Sequence, residues 1–162
     1  MTQKEYNIAV EQYSGRLYSF IVRFTWHEQN ARDLVQDTFL KLWINREKVI
    51  NEKAKSWLFT VAHNLTINFI KKHKRQDYVE DYVLERGGDN SSRRFEQQDL
   101  INKCLVQLTE QQKTILLLRD LEGYNYKDIG DVLDLSESQV KVYLFRARKK
   151  MKGIIKKLSN AI

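Results

Sequence analysis

Among the residue types able to act on a partner, the densest grouping lies near the C-terminal end. Ser138, Gln139 and Lys141 open a helical pattern, and Arg146-Ala147-Arg148-Lys149-Lys150-Met151-Lys152 follows, continuing to Lys156 and Lys157. From Lys141 to the C-terminus there is no acidic residue. A glutamine amide can pair bidentately with adenine, which makes Gln139 a candidate base reader. Lysine and arginine at helical spacing hold phosphates and so set register without reading sequence. Two plainer readings also fit the basic run: a solvated face on a helical hairpin, or a contact with acidic membrane surfaces. Catalytic chemistry finds little support. His27, His63 and His73 lack metal-ligand spacing with one another or with Cys104, and Cys104 sits in an apolar pattern. No glycine-rich phosphate loop is present either. The expectation is a protein that is not an enzyme and needs no metal or cofactor.

A helix-turn-helix would position these side chains. Tyr126–Leu133 predicts its first helix, Asp134-Leu135-Ser136 its turn, and a second helix starts at Glu137 and runs to about Leu158. Two helices crossing steeply need a small residue where their axes approach, and Gly130 occupies that place. Ile129, Leu133, Leu135, Val140 and Leu144 are spaced to fill the wedge. Ser136 suits an N-cap because its hydroxyl accepts a free backbone N–H. Gly123, upstream, suits a helix C-cap because it takes positive φ at little cost. Asp134 stands at a turn position where glycine is frequent. The second helix of such a motif enters the DNA major groove with its N-terminal side chains toward base edges.

The rest of the chain reads as scaffold. Val10, Tyr13, Leu17, Phe20 and Phe24 recur at spacings of three and four, one stripe of a first helix. A second helix is expected from about Glu28 to Asn45, with Ala31, Leu34, Val35, Thr38, Phe39, Leu42 and Trp43 inward. A third, from near Lys53 to about Lys74, carries Trp57, Leu58, Val61, Ala62, Leu65 and Phe69. Three such helices can bury a shared core. Residues 76–97 change character: Asp77, Glu80, Asp81, Glu85 and Asp89 surround a Gly-Gly pair, and Asn90-Ser91-Ser92 follows. So long a polar stretch is unusual inside a compact domain, which favours a flexible linker over a surface loop. Leu100, Ile101, Cys104 and Leu108 then restart a helical pattern, and Glu110 to Leu121 extends it. The expected fold is all-α: two small helical domains, residues 1–75 and 98–162, the second carrying the helix-turn-helix. The absence of proline and a total of six glycines in 162 residues agree with long helices. A net charge of +7 favours a polyanionic partner. The polar start Met1–Glu5, the single cysteine and the lack of an apolar run of roughly 20 residues point to the cytoplasm, without membrane insertion.

Several segments carry a family likeness. They are Leu108-Thr109-Glu110-Gln111-Gln112, Leu118-Arg119-Asp120-Leu121-Glu122-Gly123-Tyr124, Tyr126-Lys127-Asp128-Ile129 and Val140 to Arg148. In the first half they are Asp33 to Trp43, Trp57 to Leu65, and Asn68 to Lys72. In this order they resemble the extracytoplasmic-function sigma factors, bacterial transcription initiation factors that work on RNA polymerase. The resemblance implies that the helix bearing Asp33, Gln36, Asp37 and Leu40 binds the clamp helices of the polymerase's largest subunit. It implies that Asn64 lines a pocket for a flipped-out base of the opened −10 element. Asn68, Lys71, Lys72 and Arg75 would extend that contact, and the loop between Asn45 and Lys55 would shape the pocket. The −35 duplex would be met by Ser138, Gln139, Lys141, Tyr143, Phe145, Arg146 and Lys149. Thr60, Val142 and Tyr143 depart from the residues many relatives carry, so base preference cannot be copied from them. The implied partners are core RNA polymerase, promoter DNA and an anti-sigma factor, with the free chain a monomer. The competing reading is a helix-turn-helix regulator that binds an operator without joining the polymerase.

Overall fold

The computed structural model describes residues 1–73 and 100–160. The chain divides into two compact units, Met1–Tyr82 and Val83–Ile162. The linker expected at 76–97, together with Lys74 and Arg75, lies outside the described residues. Every regular element among the described residues is helical, and none of these helices is long and apolar enough to cross a membrane.

The first unit packs α1 (Gln3–Thr25), α2 (Glu28–Ile44) and α3 (Ala54–Lys72) pairwise against one another, with a short 3₁₀ turn, Asn51–Lys53, leading into α3. Thr2 starts α1 with a capping box: its Oγ1 accepts the Glu5 N–H at 3.1 Å, and the Glu5 carboxylate accepts the Thr2 N–H at 3.3 Å. α1 ends at Trp26, whose backbone turns left-handed (φ 54°) and whose N–H returns to Val22 O. A bulky residue rarely takes that conformation. Here the indole is wholly buried, and its packing offsets the backbone strain. His27 then caps α2, its Nδ1 accepting the Asn30 N–H at 3.2 Å.

The core of this unit is aromatic. The Phe20 ring lies 5.1 Å from Phe24 and 5.4 Å from Phe59, among Leu17, Ile21, Leu34, Leu42 and Leu58. Of the apolar residues expected on α3, Leu58 and Ala62 do face inward and the others do not. Ala54, Leu58, Ala62, Thr66 and Ile70 are buried, with Phe59 beside them, whereas Trp57, Val61, Leu65 and Phe69 are only half-buried. Two stripes, each with its members four residues apart, run side by side on this helix, and hydrophobicity alone does not rank them. The buried hydroxyls of Thr38 and Thr66 donate to the carbonyls of Leu34 and Ala62, so each is satisfied within its own helix.

The second unit contains a helical stretch at 100–106 (α4), then α5 (Glu110–Leu116), α6 (Tyr126–Leu133) and α7 (Glu137–Asn160). A capping box between Thr109 and Gln112 starts α5. Its last turn widens at Leu117–Leu121, where the Glu122 N–H reaches back to Leu117 O. Gly123 follows at φ 72°, the positive value expected of it. Cys104 is fully buried in the core, and that burial raises its thiol pKa.

The helix-turn-helix forms as its sequence predicts. A Cβ on Gly130 would collide with the carbonyl oxygen of Leu135, so only glycine allows the turn to pass this close. Asp134 takes a left-handed conformation (φ 56°), and the Leu135 N–H bonds to Gly130 O at 2.9 Å. Ile129, Val132, Val140, Leu144 and Ala147 are buried in the wedge, while Leu133 and Leu135 close its half-buried rim.

Candidate nucleic-acid interface

α7 is anchored by one narrow stripe. Val140, Leu144, Ala147 and Ile154 are buried; Ser138, Lys141, Phe145, Arg146 and Lys149 are exposed. Glu137 is the only acidic residue of this helix. Gln139 is exposed but already engaged: its amide oxygen accepts the Ser136 N–H at 2.9 Å, while Ser136 Oγ accepts the Gln139 N–H at 3.1 Å. That capping box fixes the start of the helix and leaves the Gln139 amide nitrogen as its free donor. Tyr143 is half-buried on a flank. Val142, absent from the expected contact set, is exposed.

The widened turn at the end of α5 sends two consecutive residues toward the helix-turn-helix. Arg119 donates to Tyr124 O at 2.8 Å, and its guanidinium lies 4.8 Å from the Tyr126 ring centre. Lys141 Nζ lies 5.6 Å from the same ring, so Tyr126 connects Arg119 with a lysine of the outer face. Asp120 accepts from Arg148 at 2.6 Å, and this hydrogen bond raises the guanidinium pKa further. Half-exposed as it is, the pair adds little stability. It does hold Arg148 to the body of the unit, while Lys141, Arg146 and Lys149 stand exposed.

In the first unit, α3 brings Trp57, Val61, Asn64 and Asn68 onto one stripe, since residues four, seven and eleven positions along recur on one face. Asn64 and Asn68 are exposed and Trp57 is half-exposed. Lys71 and Lys72 are exposed in the last turn; Arg75 lies outside the described residues. Next to Asn64, His63 has a buried Nδ1 with no partner, and its ring edge packs on Phe24 with centroids 6.4 Å apart. Burial lowers its pKa to about 4, the neighbouring Asn64 side chain acting in the opposite direction and more weakly. The loop after α2 is held by the N-terminal amine, which donates to Arg46 O at 2.9 Å and Val49 O at 3.4 Å.

The outer face of α2 aligns Asp33, Gln36, Asp37 and Leu40, all exposed, and Asp33 accepts from Gln29 at 2.9 Å. Ile44, one turn beyond Leu40, is also exposed and was missed in the sequence. Its spacing from Leu40 would have revealed it. Trp43, expected inward, is half-buried, its ring 4.9 Å from Tyr6 and 4.0 Å from the Arg46 guanidinium. An indole this near the helix end is covered by α1 on one side and by the following loop on the other.

Comparison with known proteins finds two family models in the chain. Residues 9–76 match the family model for sigma-70 region 2, and residues 98–151 match that for sigma-70 region 4. The ECF RNA polymerase sigma factor SigM of Bacillus subtilis is 28% identical over 148 residues, covering 89% of this chain and 91% of that protein. The chain is an extracytoplasmic-function sigma factor. The ECF RNA polymerase sigma-E factor of Haemophilus influenzae is 26% identical, covering 96% of this chain and 90% of its own. The fold is shared with the sigma factor RpoE of Bartonella quintana, solved with the anti-sigma factor NepR. That structure has a TM-score of 0.76 at 22% identity, with 94% of this chain and 98% of that one covered. A sigma factor joins RNA polymerase and selects where transcription starts, so the basic outer face of α7 belongs to a DNA-binding module.

Proposed function

We propose that this sigma factor divides promoter recognition between its two units at the residues described above. The observation that carries the proposal is the outer face of α7: exposed, basic, nearly free of acid, and seated on a helix-turn-helix whose Gly130 permits the close crossing. Residues 98–162 meet the −35 element as duplex. Ser138, Lys141, Phe145 and Arg146 contact bases and nearby phosphates, and Lys149 contacts the backbone. Gln139 serves first as a cap and second as a donor, and Tyr143 touches a phosphate from the flank.

Residues 1–75 capture the opened −10 strand. Asn64 offers both a donor and an acceptor to a flipped base, Asn68 extends that edge, and Trp57 supplies a stacking surface. Lys71, Lys72 and Arg75 follow the backbone, and residues 76–97 are the tether. Asp33, Gln36, Asp37 and Leu40 bind the polymerase clamp helices, with Leu40 and Ile44 as apolar anchors. The factor acts in the cytoplasm as a monomer when free. Its structural relative was solved with an anti-sigma factor, and a partner of that kind restrains this chain too.

Energetics assign melting to the holoenzyme. Opening about ten base pairs costs on the order of 10–15 kcal/mol, while a captured base returns about 1–3 kcal/mol. The isolated chain therefore opens no DNA. In transcription with core polymerase, Lys141→Ala or Arg146→Ala weakens promoter-specific starts and leaves core binding intact. Leu40→Ala weakens core binding itself. Equal loss of polymerase affinity in all three variants would overturn the division. An operator-binding regulator would show no core binding at all.

A further inference from the structure

Val142 lies at the centre of the DNA-facing side of α7. Two residues beyond a given helix position the direction has turned by about 200°, so Val142 points away from the core that encloses fully buried Val140. Phe145, one turn on, lies beside it, and the two are 45% and 68% exposed. Ser138 and Lys149 continue the same outward line, with Lys141 and Arg146 on either side.

An exposed apolar pair framed by cations calls for an occupant that is apolar at the centre and anionic at the edges. An apolar peptide groove lacks the charge, and a phosphate surface lacks the apolar centre. The major groove of a duplex supplies both, because thymine presents a C5 methyl between two phosphate backbones. We propose that Val142, supported by Phe145, reads thymine methyl groups and is a specificity-determining residue of this sigma factor. The proposal rests on the assignment of α7 to the −35 duplex and adds the chemistry it selects.

The test uses holoenzyme assembled from the full chain and core polymerase, on a promoter this holoenzyme selects from a library. Each thymine of the upstream duplex element is replaced in turn by deoxyuridine, which removes the methyl and nothing else. At one or two positions the wild-type holoenzyme loses about fourfold in initiation, the factor expected for about 0.8 kcal/mol per buried methyl-sized group. Val142→Ser loses a similar factor on the thymine template and becomes indifferent to deoxyuridine at one of those positions. Because Val142 is exposed, the variant keeps its fold, and unchanged core binding verifies that. Wild type and Val142→Ser responding alike at every position would overturn the proposal. So would full activity of both on all templates. Failure of the wild-type holoenzyme to select any promoter would instead overturn the parent assignment, and this proposal with it.

Discussion

α3 and α7 are both assigned to DNA, yet they are built in opposite ways. α3 buries Ala54, Leu58, Phe59, Ala62, Thr66 and Ile70, and the basic residues of its last turn are Lys71 and Lys72. α7 is longer, 24 residues against 19, but its buried residues are Val140, Leu144, Ala147 and Ile154. Much of its remaining surface is basic. The difference matches two kinds of target. Capturing single bases needs a rigid wall with a few aimed polar groups, which a deeply packed helix supplies. Holding a duplex needs charge along a projecting rod, and that rod must not be buried.

The contrast predicts where each unit is fragile. The largest effect is expected in the aromatic core: Trp26→Ala costs the first unit about 3–5 kcal/mol. Hydrogen exchange should show its amides losing protection while those of α6 and α7 keep theirs; shared loss would contradict independent units.

Acid should separate the units next. All three histidines lie in the first unit, at 27, 63 and 73. An unfolded His63 takes up a proton near pH 6.5, whereas the folded residue resists until about pH 4. Its contribution to stability is therefore complete above pH 6.5 and falls as pH drops, by about 3 kcal/mol at pH 4. Denaturant titrations of wild type against His63→Phe measure this, and parallel pH profiles would remove the effect.

Gly130→Ala should cost the second unit about 1–3 kcal/mol, because the added methyl meets the Leu135 backbone rather than a movable side chain. Duplex binding should fall with it while core binding stays. The smallest effects are in the salt dependence of the promoter complex. Lys149→Ala should reduce the slope by about 0.9, the value for a duplex phosphate, uniformly across sequences. Lys71→Ala should reduce it by about 0.7, the single-strand value. Equal slopes would erase the distinction between the helices.

The second unit was the more legible in sequence. Gly130, Ser136 and the wedge residues are each tied to a local constraint, a close crossing or a cap, and a local constraint leaves a local signature. Partner choice was harder to read. Gln139 looked free for adenine, yet its amide oxygen is taken by Ser136, a competition visible only once the helix start is placed. Val142 was noted only as a departure from the residue many relatives carry, and the direction set by buried Val140 is what puts it outside. In α3 two apolar stripes compete, and burial by α1 and α2 decides between them. The strained backbone at Trp26 has no local signature, since tertiary packing imposes it.

The account depends on this chain giving RNA polymerase a choice of start site through two separate grips on one promoter. Multi-round transcription of a genomic promoter library, with core polymerase alone and with the full chain added, tests that claim. Addition should produce a small set of strong, new start sites, and Asn64→Ala and Lys141→Ala should each suppress that set without lowering the amount of chain bound to core. A start-site distribution unchanged by the added chain would contradict it.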